Sequence, residues 1–191
     1  QQLNNLLEHY QAGRYADAEK LSLSITQEFP EYPFAWKVLA VVLKLTGRIS
    51  ESLVASQKSV QLDPQDAEAH NNLGNTLKEL GRLKEAEASY RKSIVLKPDY
   101  AEAHNNLGAT LQELGRLKEA ELSYRQAITL KPDYTEAYNN LGIILQELGR
   151  LNEAEANLRQ AITLKPNLAE AHNNLGNTLK DLGRLNEAEA S

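Results

Sequence analysis

AEAHNNLGNTLKELGRLKEAEASYRKSIVLKPDY runs from Ala67 to Tyr100, and the 34 residues that follow, Ala101–Tyr134, repeat it with only six differences. Thr135–Leu168 continues in the same register, and Ala169–Ser191 reads as a further copy that stops partway. Upstream, Pro33–Asp66 keeps the spacing with a drifted sequence, and Gln1–Tyr32 reads as an earlier, incomplete unit. Gly47, Gly81, Gly115, Gly149 and Gly183 recur at intervals of 34, as do Pro30, Pro64, Pro98, Pro132 and Pro166. A fixed period of this size marks a repeat architecture, in which each unit buries its apolar face only by stacking on a neighbour.

Each unit reads as two helices. In Asp99-x-x-Glu102 and Asp133-x-x-Glu136 the spacing is that of a capping box, which predicts that each Asp caps the amides of a first helical turn. Apolar residues then recur at helical intervals, as Leu73, Leu77 and Leu80 in one copy and Leu107, Leu111 and Leu114 in the next. Gly81 and Gly115 supply the left-handed residue that ends the helix. A second helix is predicted to open near Leu83 and to carry Ala86, Tyr90, Ile94 and Leu96, with Pro98 preventing its continuation. Gly74 and Ala86 are small where the two helices are expected to approach closely.

This pattern resembles the tetratricopeptide repeat (TPR) family. The family places a large residue at position 4 of the unit, Leu-Gly at 7 and 8, Ala at 20, an aromatic at 24 and Pro at 32. Here these are His70, Leu73, Gly74, Ala86, Tyr90 and Pro98, and the drifted unit carries the family's Trp as Trp36. Departures are His or Tyr for Trp at position 4, and Ser52 and Ser56 for the Ala and the aromatic. The resemblance implies an all-α, right-handed solenoid of antiparallel helix pairs. Residues 1–191 are expected to form one array, with units at about 1–32, 33–66, 67–100, 101–134 and 135–168 and a partial 169–191. Within the family, the NNLG-x-x-L and LGRL-x-EAE wording is most similar to the arrays of O-linked N-acetylglucosamine transferases and their bacterial relatives.

Composition bounds the partners. The chain is 41% apolar and 25% charged, with net charge −5, a pI of about 5.5 and no Cys. Nucleic-acid binders carry a basic field, so a nucleic acid is not expected. Disulfides, thiolate zinc sites and Cys nucleophiles are excluded. No apolar run approaches the roughly 20 residues of a membrane span, and no signal peptide is recognisable. A cytoplasmic location is the expectation from those two absences. The chain starts at Gln1 without Met, which reads as a trimmed or processed product.

The recurring asparagine pair is the candidate site. Counting Ala67, Ala101, Thr135 and Ala169 as position 1, positions 4, 7, 8 and 11 share one arc of the first helix at 100° per residue. Positions 2, 5, 6, 9 and 13 fall on the opposite arc. It holds Asn71, Asn72 and Asn75 in one copy, Asn105 and Asn106 in the next, then Asn139 and Asn140, then Asn173 and Asn174. In a stack of hairpins the first helices line the concave surface, so the asparagines are expected to form ladders along a groove. Neighbouring rungs lie about 10 Å apart, and an extended guest rises about 3.3 Å per residue, so one rung meets every third guest residue. An Asn amide both donates and accepts, and pairs with a guest backbone whatever its sequence. In the resembled transferase arrays an asparagine ladder holds extended protein segments, which here carries over to position 6: Asn72, Asn106, Asn140 and Asn174. The alternative is a solvated face copied by duplication.

Chemistry is not expected. His70, His104 and His172 lie one or more repeats apart, too far to share a metal, and fall on the packed arc. No HExxH, GxSxG, GxGxxG or P-loop occurs. Arg48, Arg82, Arg116, Arg150 and Arg184 follow the helix-ending glycines and are expected to serve the loops and last carbonyls. No metal, cofactor or enzymatic activity is predicted. The expected partner is a protein or peptide segment, neutral or basic, because the Glu and Asp at positions 2 and 13 repel an acidic tail. The carboxylate clamp of some TPR domains is not expected, since its groove Lys and Arg are missing.

Two features point to self-association. Phe34, Val38, Val41 and Leu45 form one apolar stripe on the groove arc of the drifted unit. Such a stripe is either an interaction patch or core covered by the preceding segment with Leu3, Leu6, Leu7 and Tyr10. At the other end, Leu175, Leu179 and Leu182 are expected to be under-covered, because the last unit stops partway. The functional expectation is a protein-interaction scaffold. Its rivals are the recruiting arm of a larger glycosyltransferase-like enzyme and a self-assembling module.

Overall fold

The computed structural model describes residues 2–188, which fold into helices and connecting turns, with no strand among them. The chain divides into two compact units at Pro98 and Asp99. The first holds α1 (Gln2–Gln11), α2 (Tyr15–Glu28), α3 (Pro33–Leu45), α4 (Ile49–Leu62), α5 (Ala67–Glu79) and α6 (Leu83–Leu96). The second holds α7 (Ala101–Glu113), α8 (Leu117–Leu130), α9 (Thr135–Glu147), α10 (Leu151–Leu164), α11 (Ala169–Asp181) and α12 (Leu185–Ala188). Within each unit, odd and even helices pair as hairpins and consecutive hairpins stack. The odd helices also touch each other, α3 on α5 in the first unit and α9 on both α7 and α11 in the second.

The helix ends follow the glycines. Gly81 takes φ +71° and Gly149 φ +72°, where a Cβ costs about 1–2 kcal/mol. The Arg82 N–H then reaches back to the Leu77 carbonyl at 2.9 Å, and the Arg150 N–H to that of Leu145 at 2.8 Å, which satisfies carbonyls that the helix itself leaves open.

The helix starts differ from the capping-box expectation. Tyr100 and Tyr134 occupy the cap positions of α7 and α9 and make no side-chain cap, so Asp99 and Asp133 lie one residue outside. After Pro132, the Tyr134 N–H bonds to the Lys131 carbonyl and the Thr135 N–H to that of Asp133. That turn delays helical geometry by one residue. A side-chain cap does form on α5, where the Asp66 carboxylate accepts from the Glu68 and Ala69 amides.

Close helix approach falls at the small residues, as expected for Gly74 and Ala86. A Cβ built on Gly74 would fall 2.6 Å from the Tyr90 ring, one on Gly108 2.8 Å from the Tyr124 ring, and one on Gly142 2.6 Å from Leu158. The position-8 glycine is therefore a recess for the large side chain at position 24. Ala86, Ala120 and Ala154 are fully buried as well.

Both ends of the chain are better covered than expected. Leu6, with Leu3 and Tyr10 beside it, packs over Phe34 and Val38 in a cluster with Ala18, Ile25, Ala35 and Val42. The apolar stripe of α3 is thus core at its N-terminal half. Val38 is 4% exposed and Leu45 is 54% exposed, so an open patch remains only at Leu45 and the half-buried Val41. In the second unit Leu175 and Leu179 are buried against Leu158, with Ile162 and Ala188 packed around them. The under-covering predicted from the partial last unit is not found at Leu175 and Leu179, because α10 and Ala188 already cover them, while Leu182 is half-buried. Residues 189–191 lie outside the described residues.

Candidate functional site

The first-helix faces carry the asparagine pairs, and the two members of a pair have different surroundings. Asn71, Asn105 and Asn139, the first members, are 4%, 1% and 2% exposed. The expectation that they lie on the open arc is corrected. In the second unit α7 packs on α8 and on α9, and α9 on α10 and on α11, so the buried arc at Asn105 and Asn139 is wider than one hairpin requires. Asn173 occupies the same position and is exposed, and no later first helix covers it among the described residues. Asn72, Asn75, Asn106, Asn140 and Asn174 are half-buried.

In the second unit the buried asparagines join successive hairpins. Asn105 Nδ2 donates to Glu136 Oε1 at 3.4 Å and Asn139 Nδ2 to Glu170 Oε1 at 3.1 Å. Asn140 Nδ2 donates to Asn105 Oδ1 at 3.2 Å, and Asn174 Nδ2 to Asn139 Oδ1 at 3.0 Å. Each chain of bonds runs from a position-6 amide through the position-5 amide of the preceding unit to a carboxylate at position 2. A buried amide with its groups paired holds the stack in register, whereas one left unpaired costs about 1–3 kcal/mol. The Asn140 and Asn174 oxygens remain for a further partner.

In the first unit Lys37 stands where the asparagine would be. Its Nζ donates to Glu68 Oε2 at 2.7 Å and Asp66 Oδ2 at 2.9 Å. Burial works to lower the Lys37 pKa, but the two carboxylates hold it above the usual lysine value. Asp66 is pushed up by burial and held down more strongly by Lys37 and its cap amides, so it lies below the usual carboxylate range. The position-5 to position-2 bond spans 31 residues at Lys37–Glu68, Asn105–Glu136 and Asn139–Glu170. That constant offset of complementary polar residues is the signal in the sequence that marks these bonds.

The open arc is acidic in the second unit. Gln112 Nε2 donates to Glu147 at 2.9 Å, and Gln146 Nε2 to Asp181 at 2.9 Å. Glu136, Glu147, Glu170 and Asp181 are thus oriented by neutral amides that leave their charge uncompensated. In the first unit Lys44 lies 3.7 Å from Glu79. Asn75 accepts from the Tyr90 hydroxyl at 2.8 Å, which ties its oxygen to the core side chain beneath.

The remaining candidates have structural partners. His70 and His172 Nε2 lie 3.1 and 2.8 Å from the carbonyls of Pro64 and Pro166, and Trp36 Nε1 donates to that of Pro30 at 2.8 Å. The position-4 residue therefore ties the first helix to the preceding Pro turn. The arginines serve the last carbonyls of the first helices through their backbone N–H groups, as expected, and their guanidinium groups do more. Arg150 grips Glu153 in its own hairpin and reaches back to Glu121 at 2.7 Å, while Arg184 reaches Glu155 at 2.6 Å and Arg48 reaches Glu19. Glu121 and Glu155 are raised by burial and lowered more strongly by these arginines and by Arg125 and Arg159, so both sit below the usual range.

This geometry can be set beside known proteins. The family described as "TPR repeat" matches residues 74–115, 111–149 and 144–183, and a second, "Tetratricopeptide repeat", matches 55–88. The chain belongs to the tetratricopeptide repeat family. No curated protein matches the chain. Among solved structures it is similar to MamA at 25% identity and TM-score 0.73, over 83% of this chain and 86% of that one. It is similar to YrrB, described as a TPR protein with an unusual peptide-binding site, at 24% identity and TM-score 0.71, over 87% and 86%. It is also similar to PilW, a type IV pilus biogenesis factor, at 21% identity and TM-score 0.89, over 99% and 89%.

Proposed function

We propose that the chain is a protein-interaction scaffold that holds an extended protein segment on its first-helix faces. The observation that supports this is the division of labour between positions 5 and 6 of successive repeats in the second unit. The buried Asn105 and Asn139 are consumed by the stack and hold Asn140 and Asn174 of the following repeats in place. Asn140 and Asn174 are each held by one N–H, and the rest of the amide is available to a guest backbone. A preorganised donor–acceptor pair binds without the entropic cost of ordering it. Asn106 stands at the same position in α7, and Asn72 in α5 of the first unit. YrrB, of the same fold, is described as having a peptide-binding site, which fits this reading.

The guest is neutral or basic. Glu136, Glu147, Glu170 and Asp181 keep their charge on the face of the second unit, and they disfavour an acidic segment while steering a basic one. The NNLG-x-x-L and LGRL-x-EAE wording extends the proposal to a recruiting arm within a glycosyltransferase-like protein, with the scaffold role unchanged.

The test selects extended peptides from a displayed random library on the intact chain. Their affinity is then measured for Asn106→Ala/Asn140→Ala, with urea unfolding in parallel. Loss of about 1–3 kcal/mol of binding is expected from unpaired guest groups. Peptides that bind the variant as tightly as the parent, or a selection that yields only acidic peptides, would refute the reading.

A further inference from the structure

The second hairpin lacks the side chain that fills its siblings. Tyr90, Tyr124 and Leu158 fill the recesses over Gly74, Gly108 and Gly142, whereas α3 and α4 bring Ala40 and Ser56 to the same two positions. A methyl group replaces a hydrogen on one side and a hydroxymethyl replaces a phenol or isobutyl on the other, so space is left over. It appears as a pocket of about 90 Å³ walled by Ala40, Val41 and Leu45 and bounded by Lys44, Ser56, Asn72, Asn75 and Thr76. Val41, Leu45 and Asn72 lie on the open arcs of α3 and α5, so the pocket opens on the proposed binding face of the first unit.

Its floor carries an unanswered polar group. Ser56 is 2% exposed, and its Oγ has no hydrogen-bond partner. The neighbouring buried hydroxyl shows the ordinary arrangement, with Ser52 Oγ donating to the Ala40 carbonyl at 2.8 Å and lying 3.2 Å from Thr76 Oγ1. Buried polar atoms are nearly always paired, and an exception asks for an explanation. The chain's own repeats indicate what the space accepts, since the equivalent recess at Gly74 holds the Tyr90 ring with its hydroxyl on Asn75 at 2.8 Å. A pocket with apolar Ala40, Val41 and Leu45 on one side, polar side chains on the other and an unpaired hydroxyl at Ser56 suits a phenol, which is apolar in body and polar at one end. The volume is about three times one water's share of the liquid and below the roughly 150 Å³ that encloses a whole benzene. A ring therefore inserts edge-first, past the Ala40 methyl, with Leu45 covering the part left outside.

We propose that this pocket takes the tyrosine side chain of a guest segment, its hydroxyl paired with Ser56. The identity of the donor as a guest segment rests on the binding-face reading above, while the affinity for a phenol does not. The experiment titrates the intact, isotope-labelled chain with p-cresol, the free tyrosine side chain, and with toluene, which lacks the hydroxyl. Saturable shifts at the amides of Val41, Ser56 and Thr76 are expected with p-cresol, and toluene should bind about tenfold more weakly for want of one hydrogen bond. Ser56→Tyr with Ala40→Gly restores the sibling pairing from within, and should abolish p-cresol binding while melting no lower than the parent. Ser56→Ala supplies a second readout, in which p-cresol loses its advantage over toluene. Absence of saturable shifts, shifts that survive in the filled variant, or equal binding of the two probes to the parent each overturn the proposal. A chain that binds p-cresol but no extended peptide overturns the binding-face reading alone, and the converse overturns the pocket alone.

Discussion

Asn140 donates through Nδ2 to Oδ1 of Asn105, 35 residues earlier and one hairpin back, at 3.2 Å. The two residues occupy different positions in their repeats, the first half-buried on the open face and the second enclosed between α7 and α9. One amide of the pair therefore serves stability, and it orients the other toward solvent. The consequences can be measured.

Asn139 and Asn173 sit in the same six-residue context, with Tyr138 and His172 as the one difference before them. Asn139 bonds to Glu170 and receives Asn174, while Asn173 is exposed. Asn139→Ala is expected to cost about 1–3 kcal/mol by leaving buried groups unpaired. Asn173→Ala should stay within about 0.5 kcal/mol, as exposed changes do. Urea unfolding of the two single variants checks the contrast, and equal costs would contradict the assignment.

Glycine in a helix interior usually gives way to alanine with a gain of about 0.5–1 kcal/mol. Gly108 should reverse that sign. A Cβ there would lie 2.8 Å from the Tyr124 ring, and overpacking of a filled core costs about 1–3 kcal/mol. Thermal melting of Gly108→Ala decides which effect wins.

The apolar stripe of α3 should behave as two different surfaces. Val38 is packed beneath Leu6, and a carboxylate placed there has no partner, so Val38→Glu is expected to unfold the first hairpins. Leu45 is mostly exposed, and Leu45→Lys should change stability by no more than about 0.5 kcal/mol. Circular dichroism with urea titration distinguishes them. A Val38→Glu variant as stable as Leu45→Lys would show that α1 does not cover the stripe.

Acid should weaken the fold through Asp66, Glu121 and Glu155, whose folded pKa values all lie below normal. A depressed carboxylate contributes stability above its unfolded pKa of about 4 and loses it as pH falls through the lower folded value. Lys37 is raised, so its contribution is complete below about 10.4 and fades as pH rises through the folded value. The urea midpoint is therefore expected to be level from about pH 5 to 9 and to fall outside that window. Glu121→Gln combined with Glu155→Gln should flatten the acid limb, and an unchanged limb would assign the acid sensitivity elsewhere.

The fold was legible because local rules and the period agree. Gly81 and Gly149 end their helices at positive φ, Pro98 and Pro132 stop continuation, and the leucine spacing marks one packed arc. Each of these depends on a residue and its close neighbours in the chain, and 34-residue recurrence repeats the message. The capping boxes failed for a related reason. Their spacing is correct, but the turn through Lys131 and Tyr134 shifts the helix start by one residue.

Contacts 31 to 35 residues apart were decided only by stacking. A helical wheel treats Asn105 and Asn106 as neighbours on one open arc, since it knows a single buried side. In the fold α7 meets α8 and α9 together, so the buried arc widens until it takes in Asn105 and leaves Asn106 at its edge. The same geometry turned half of the Phe34–Leu45 stripe into core under Leu6, and directed Arg150 to Glu121 in the preceding hairpin. It also emptied the space over Ser56, because whether a small residue leaves a pocket depends on the partner that faces it, here Ala40. Sequence determined that hairpins form and repeat. Tertiary packing decided which polar residues the stack consumes and which it leaves for a partner, because burial on a repeat protein is set by the neighbouring unit.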